Sequence, residues 1–156
     1  LLRSGQADLL LGYMPQNEPG IESKTVASLR TSWALPAERA SKLLPLDPKE
    51  LKNETLIAYS PELLAHALQM QALANHGIAP DRVLTAGSAD AILGFVAAGL
   101  GYSLVPHLSK AGPLERGIVS VPLKASEGNF PVTLAWKSRD LLPPLFKTAI
   151  AAANAT

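Results

Sequence analysis

The sequence predicts an α/β protein in which short parallel strands alternate with helices. An apolar run at 55–59 enters a helix through Ser60-Pro61-Glu62, and a second run at 82–86 enters a helix through Gly87-Ser88. Residues 97–106 then turn from a helix through two glycines into a third strand. This strand–helix–strand order implies right-handed crossovers and parallel pairing.

Length, composition and charge limit the class of protein. The 156 residues suffice for one domain or two small lobes, and 47% hydrophobic residues exclude wholesale disorder. The 14 basic and 13 acidic residues are scattered, so no basic patch predicts contact with nucleic acid. The chain has no cysteine and no run long enough for a membrane span, and we do not expect its first residues to be a signal peptide, because no basic region precedes an apolar core there. It opens without Met, and we expect a fragment of a longer cytoplasmic protein.

The first third of the chain is predicted to hold strands and one helical turn. Apolar or alternating runs predict strands at 7–13, 21–29 and 31–36, the last as partner or continuation of the second. Residues 38–46 are predicted to be a loop that Pro45 interrupts. A one-turn helix is expected to start at Asp47 or Pro48 and to run through Leu51.

The first helix of the repeating pattern follows the strand at 55–59. Ser60 is predicted as its N-cap, with Pro61 at the first helical position and Glu62 in the first turn. Four residues recur at helical spacing and predict the packed face: Leu64, Ala67, Leu68 and Gln71. Gly77 is predicted to end the helix, because glycine adopts the left-handed conformation of a helix cap without strain.

The second helix is predicted from Ala89 to about Ala98, with Ser88 as its N-cap. It is apolar on nearly every side, which predicts that it is buried. Gly99 and Gly101 then lead into a strand that Pro106 is expected to close, since proline lacks the N–H of a strand ladder. Because these glycines precede a strand, they do not form a dinucleotide-binding loop.

The last third of the chain returns to strands and ends in a helix. Strands are predicted at 118–123 and 130–136, separated by polar or Pro/Gly-broken connections. An alanine-rich amphipathic helix is predicted over 141–153.

The two strand-to-helix junctions are the best candidates for a binding site. Ligands of parallel sheets bind outside the carboxyl ends of the strands. Ser60 and Ser88 each offer a hydroxyl beside free amides at the positive end of a helix, an arrangement that favours an anion such as a carboxylate. The alternative is that each serine merely caps its own helix.

Other side chains give weaker signals. His107 follows the third strand and is a candidate to line the same cleft, whereas His66 and His76 are predicted at the surface. The histidines lack metal-ligand spacing, so we expect no metal and no cofactor. Ser60, His107 and Asp90 could be arranged as a hydrolase triad, but the chain lacks the Gly-x-Ser-x-Gly elbow. Tyr59 is the aromatic residue best placed to contact a ligand.

Three motifs in this order resemble the effector-binding domain of LysR-type transcriptional regulators: Leu2-x-x-Gly5-x-x-Asp8-Leu9-x-Leu11, the section from Trp33-Ala-Leu-Pro36 through Leu51, and 98–106. The resemblance covers essentially the whole chain. It implies a type 2 periplasmic-binding-protein-like fold of two Rossmann-like lobes joined by two crossing strands. Lobe I would comprise 1–29 and 107–156, without the first strand and helix of the family, and lobe II would comprise 30–106.

The resemblance also implies a function. A small inducer, which we expect to be anionic, would bind between the lobes and signal to a helix-turn-helix domain that is not in this chain. Effector contacts would come from seven residues: Ser60, Pro61, Gly87, Ser88, Val105, Pro106 and His107. The domain would do no catalysis and would form a homodimer or homotetramer, with the helix at 61–76 in the interface. A solute-binding protein of a transporter and an enzyme built on the same lobes are the alternatives, because fold alone does not fix function.

Overall fold

A computed structural model describes residues 1–14, 18–109, 112–113, 115–124, 128–138 and 143–153. The chain divides into two compact units by its internal contacts. Unit 1 comprises Leu1–Ser28 and Pro131–Thr156, and unit 2 comprises Leu29–Phe130. Strands β2 (Ile21–Pro36) and β7 (Phe130–Lys137) pass from one unit to the other, as the predicted pair of crossing strands requires.

Unit 1 is a small sheet with one helix. Strand β7 lies between β1 (Leu9–Gly12) and β2, and it pairs with β1 in antiparallel register. Helix α5 (Pro144–Ala153) contributes Phe146 to a core that also holds Leu134 and Trp136. The partly buried residues Leu9, Val26 and Ile150 pack against that core.

Unit 2 contains both antiparallel and parallel strand pairs, and its parallel pair β3–β4 is a separate two-stranded sheet. The second half of β2 pairs in antiparallel register with β5 (Ser103–His107) and with β6 (Ile118–Pro122). Strand β3 (Thr55–Tyr59) pairs in parallel with β4 (Arg82–Ala86) and contacts the start of β5 through a parallel bridge between Leu56 and Tyr102. The predicted parallel strands are therefore confirmed.

Helices make the connections between these parallel strands. Helix α3 (Leu64–Asn75) joins β3 to β4, and α4 (Ala89–Ala97) joins β4 to β5. Two short helices, α1 (Ala40–Leu43) and α2 (Pro48–Asn53), lie between β2 and β3. The predicted helical turn at 47–51 is confirmed as α2, and Asp47 caps it by accepting the Lys49 N–H at 2.8 Å.

In the first half of the chain, the structure decides between two alternatives and corrects one prediction. Residues 21–29 and 31–36 form one continuous strand, so the second run is a continuation and not a partner. The loop predicted at 38–46 is wrong, because Ala37–Arg39 forms a 3-10 turn and α1 follows it. Ala40 and Leu43 have helical spacing and are both buried, which stabilises this short helix against the core.

The predicted helix faces were also partly wrong. The buried residues of α3 are Ala65, Gln69, Ala72 and Leu73, whereas Ala67 and Gln71 are exposed. Helix α4 is not buried all round: Ile92 and Val96 face the core, but Phe95 is 40% exposed.

Pro106 does not end its strand, since β5 runs on to His107. It fits because, within the described residues, β5 has no ladder partner on its β3 side beyond the Leu56–Tyr102 bridge, so no rung needs the missing N–H.

The last third of the chain forms the predicted strands and helix, but part of it groups with a different unit than expected. Strands β6 and β7 and helix α5 are found as expected, although residues 141–142 of the predicted helix lie outside the described residues. Residues 107–130, expected in lobe I, group with unit 2. The reason is that β6 pairs with the second half of β2.

Candidate functional site

The carboxyl ends of β3 and β4 lie side by side. Tyr59 pairs with Ala86 at the last position of the parallel register, and the Ser60 N–H donates to the Ala86 carbonyl at 3.0 Å. The two junctions that sequence reasoning selected, Ser60-Pro61 and Gly87-Ser88, are therefore neighbours. This placement is what a shared binding edge requires.

The start of α4 offers hydrogen-bond donors at this edge. Ser88 has an extended backbone, and its Oγ accepts the Ala91 N–H at 3.2 Å, which confirms it as the N-cap. Among the residues that the structure describes, the amides of Gly87, Ala89 and Asp90 have no hydrogen-bond acceptor. Three amides at the positive end of a helix dipole can stabilise an anion.

Ser60 behaves differently from Ser88. The predicted N-cap at Ser60 is wrong, because α3 begins at Leu64 with Leu63 in the cap position. Residues 60–63 form a turn in which the Leu63 N–H donates to the Ser60 carbonyl at 2.9 Å. Since its amide is bonded to Ala86, Ser60 can offer a ligand its hydroxyl only, and Pro61 beside it is exposed.

The end of β5 supplies the third side of the candidate site. Val105 is 1% exposed and belongs to the core, whereas Pro106 and His107 are half-buried. The His107 ring is held at both nitrogens: Nδ1 bonds the Ser109 carbonyl at 2.8 Å, and Nε2 bonds the Ser32 hydroxyl at 2.7 Å. Because a carbonyl can only accept, Nδ1 carries a proton, and neither nitrogen is left for a ligand.

This Ser32–His107 pair resembles a nucleophile and its base, but its burial excludes that role. Ser32 is fully buried in β2, so no substrate can reach its hydroxyl. The imidazole is bonded to Ser32 and not to Ser60, which removes the triad considered from the sequence. Its neighbour across the strand register is Arg30, an exposed residue on the same face of the sheet, so Arg30 brings positive charge to the edge.

Tyr59, His66 and His76, the remaining aromatic and histidine candidates, make contacts inside the fold. Tyr59 is buried, and its carbonyl accepts from His66 Nδ1 at 2.7 Å. His76 is half-buried and packs edge-on against Trp33, with the ring centroids 5.4 Å apart. The surface prediction for these two histidines is wrong, since both are half-buried and hold neighbouring elements.

Sequence reasoning missed Gln69 as a residue that connects three elements. Its fully buried amide bonds main-chain groups of β3 and β5 from helix α3. Gln69 lies at helical spacing from the buried residues Ala65, Ala72 and Leu73, and this pattern is the sequence signal that could have identified it. A polar side chain at a core position of a helix needs buried partners.

No metal site or membrane-spanning helix is found in the described part of the chain. Within these ranges, no three His, Asp or Glu side chains are grouped so as to hold an ion. No helix there combines the length and the apolar character that crossing a bilayer demands.

Comparisons with known proteins agree with this architecture. The cofactor-binding domain of the Cbl transcriptional regulator matches with a TM-score of 0.80 at 23% identity, over 99% of this chain and 68% of that chain. The BenM effector-binding domain with its effector benzoate matches with a TM-score of 0.75 at 22% identity, over 99% and 70%. HinK, a LysR family regulator from Pseudomonas aeruginosa, matches with a TM-score of 0.78 at 20% identity, over 99% and 55%.

The structures compared differ in how much of them this chain represents. The chain spans about half of full-length BenM, of which it covers 52%. No curated protein sequence matches it. A family model described as the LysR substrate binding domain, however, matches residues 1–156, the whole chain. The chain therefore belongs to the family of LysR substrate-binding domains.

Proposed function

We propose that this chain is the inducer-sensing domain of a LysR-type transcriptional regulator and that it binds a small anionic metabolite. The observation that carries the proposal is the group of unpaired amides at Gly87, Ala89 and Asp90, which lies beside Ser60 at the ends of β3 and β4. Donors of this kind are oriented before a ligand arrives, so an anion binds them without a large ordering cost.

Each predicted contact residue has its own part in this proposal. Gly87 and Ser88 offer an amide and a hydroxyl to the anion, and Ser60 offers a second hydroxyl. Pro61, Pro106 and His107 would form apolar or ring surface around it, while Val105 is buried in the core and would contribute through its place in β5 only. Arg30 adds a positive charge that attracts an anion to the edge.

A carboxylate is the ligand class that we would test first. The similar BenM domain has benzoate as its effector. Benzoate is a small carboxylate with an apolar ring, so a ligand of this kind could accept from the free amides of this chain and contact the apolar side chains around them. Binding would regulate only through a difference in affinity between two states of the protein. DNA contact would be made by a helix-turn-helix domain outside this chain, in the cytoplasm, and the domain itself would do no chemistry.

The alternatives have less support. A solute-binding protein shares the fold, but the family match favours a regulator. An enzyme would need a reachable nucleophile, and the serine that is paired with a histidine is fully buried.

We also infer that the domain forms a homodimer or homotetramer. The exposed residues of α3 include Ala67, Gln71 and Asn75, and none is a large apolar side chain. Leu84 in β4 and Phe95 in α4 are both exposed, so these two elements offer more apolar surface to an interface than α3 does. Sedimentation equilibrium over a wide concentration range tests the inference, and a monomer throughout would contradict it.

The anion site is tested by a pair of variants that differ only in charge. Ser88→Asp and Ser88→Asn both keep a good N-cap, so both should fold. A panel of carboxylates that includes benzoate is screened by thermal shift, and each hit is measured by calorimetry. We expect Ser88→Asp to bind at least about ten-fold more weakly than Ser88→Asn, which corresponds to about 1.4 kcal/mol.

Two results would contradict the proposed function. One is a panel in which no carboxylate shifts the melting temperature of the wild-type chain. The other is a bound carboxylate with the same affinity for both Ser88 variants.

A further inference from the structure

Strands β3 and β5 pair at their start and then separate. The Ile57 N–H donates to the Tyr102 carbonyl at 2.8 Å, and the Tyr102 N–H donates to the Thr55 carbonyl at 2.9 Å. A regular parallel ladder would next join the Leu104 N–H to the Ile57 carbonyl and then the Tyr59 N–H to the Leu104 carbonyl. Residues 55–59 and 103–107 are all described, and no further backbone hydrogen bond joins them.

The side chain of Gln69 takes the place of the second of these missing rungs. Its Oε1 accepts the Tyr59 N–H at 3.0 Å, and its Nε2 donates to the Leu104 carbonyl at 3.0 Å. Because a backbone N–H only donates and a carbonyl only accepts, these two partners fix which way the amide points. One rung of the ladder is thus replaced by two hydrogen bonds in series through a side chain.

Ser103 completes the insertion. Its hydroxyl accepts from Gln69 Nε2 at 3.1 Å and donates to the Ile57 carbonyl at 2.7 Å. Both side chains are fully buried, so every one of these bonds is shielded from water. The network holds α3, β3 and β5 together at the point where the two strands part.

The insertion affects the strand ends that carry candidate site residues. Hydrogen-bonded neighbouring strands lie about 4.8 Å apart, and an amide inserted between their main-chain groups requires a wider spacing. Ser60 follows the end of β3, and Pro106 lies near the end of β5. Both ends belong to the carboxyl edge of the parallel strands, the same edge at which α4 presents its free amides.

We propose that Gln69 is a positioning residue that sets the spacing between the ends of β3 and β5, and thereby the size of the head group that fits between Ser60 and Pro106. The effect of that spacing on which ligand fits rests on the proposed function. The spacing itself is a property of the free domain and can be measured without any effector.

The test uses the absence of native cysteine. Pro61→Cys and Leu108→Cys place nitroxide labels on exposed residues beyond the two strand ends, Leu108 being 87% exposed. Electron paramagnetic resonance then reports the distance between the labels. Gln69→Ala removes the inserted amide, and Gln71→Ala is the matched control because Gln71 is an exposed glutamine on the same helix.

We expect Gln69→Ala to shorten the distance between the labels, because the Tyr59 N–H and the Leu104 carbonyl can then pair directly. Gln71→Ala should leave the distance at its wild-type value. An unchanged or longer distance in folded Gln69→Ala would overturn the inference. Should Gln69→Ala fail to fold, Gln69→Asn replaces it. The shorter amide of asparagine cannot reach both strands, so we expect the distance between the labels to shorten in this variant as well.

Hydrogen exchange separates positioning from a general contribution to stability. A purely structural role would speed exchange equally at all slowly exchanging amides of unit 2. A positioning role changes the Tyr59 amide more than those in the centre of α4. A domain that binds no carboxylate but shows the label shift contradicts the proposed function alone, whereas one that binds but shows no shift contradicts this inference alone.

Discussion

Gly101 is packed directly against the backbone of β3. A Cβ at this position would lie 2.1 Å from the Thr55 carbonyl oxygen and 3.1 Å from Ile57 Cδ1. The Thr55 carbonyl accepts the Tyr102 N–H, so any shift would break the bridge between β3 and β5. The constraint is close packing, because the backbone of Gly101 is not in the left-handed region.

We therefore predict that Gly101→Ala lowers the free energy of unfolding by more than about 2 kcal/mol, as expected for overpacking against backbone. Gly94→Ala is the control, since Gly94 lies in α4 with nothing within 4 Å of the added Cβ. That change should raise stability by about 0.5–1 kcal/mol. Urea denaturation of both variants measures the difference, and equal effects would refute the packing argument.

Tyr102 gives the domain a dependence on alkaline pH. Burial raises the pKa of this phenol above its ordinary value of 10.0, and the charge of Glu54 raises that pKa further. Below pH 10 the phenol is protonated in both states, so it adds no pH dependence. Above pH 10 the unfolded chain releases the proton and the folded chain keeps it, so stability falls as pH rises.

Tyr102→Phe should remove most of that alkaline loss. At neutral pH the change should be small, because the buried hydroxyl has no hydrogen-bond partner among the described residues. The free energy of unfolding is measured between pH 8 and pH 11 for both proteins. Burial also raises the pKa of Tyr13, which leaves a residual slope in the variant; parallel curves for the two proteins would refute the assignment.

At the scale of elements, the two helices that follow β3 and β4 start differently. Ser88 caps α4, whereas Ser60 has no helix to cap, because α3 starts four residues later. Ser88→Ala should therefore cost about 1 kcal/mol of stability, the usual value for a lost N-cap. Ser60→Ala should cost close to nothing, and thermal unfolding of the two variants compares them. Similar losses would show that sequence spacing alone had identified both caps correctly.

The same junction shows how far sequence reasoning reaches. Strand–helix alternation predicted β3, β4 and their parallel pairing, because apolar runs and glycine stops are local signals. The start of α3 was missed because the Ser60 N–H still bonds β4, at the Ala86 carbonyl, so the chain has not yet left the sheet at Ser60. That contact joins residues 26 apart in sequence. Ser-Pro-Glu is a good helix start only where the chain has already left the sheet.

The candidate site was predictable only in part, for a related reason. Gly87 and Ser88 stand at a junction that sequence pattern locates by itself. Helical spacing could have predicted that Gln69 is buried, but its partners depend on where β3 and β5 separate, which no local pattern encodes. His107 was predicted to follow the third strand, and it is the last residue of β5. Its nitrogens are occupied by Ser32 and Ser109, partners that only the tertiary fold supplies.

At the scale of the whole molecule, the two units differ in the size of their cores. Unit 2 holds most of the buried apolar residues that the structure describes, among them Leu35, Leu51, Ile57, Leu73, Ile92 and Leu104. The core of unit 1 centres on Leu134, Trp136 and Phe146. Because burial of apolar surface is the main stabilising term, unit 1 should open at a lower free energy than unit 2.

The chain has two tryptophans, and each reports on one unit: Trp33 is buried in unit 2 and Trp136 in unit 1. Trp136→Phe leaves fluorescence from unit 2, and Trp33→Phe leaves fluorescence from unit 1, so each substitution lies in the unit that is not observed. We predict that the Trp136 signal is lost at a lower urea concentration than the Trp33 signal. Coincident transitions in both variants would mean that the two units unfold as one cooperative structure, and the difference in core size would then have no separate thermodynamic consequence.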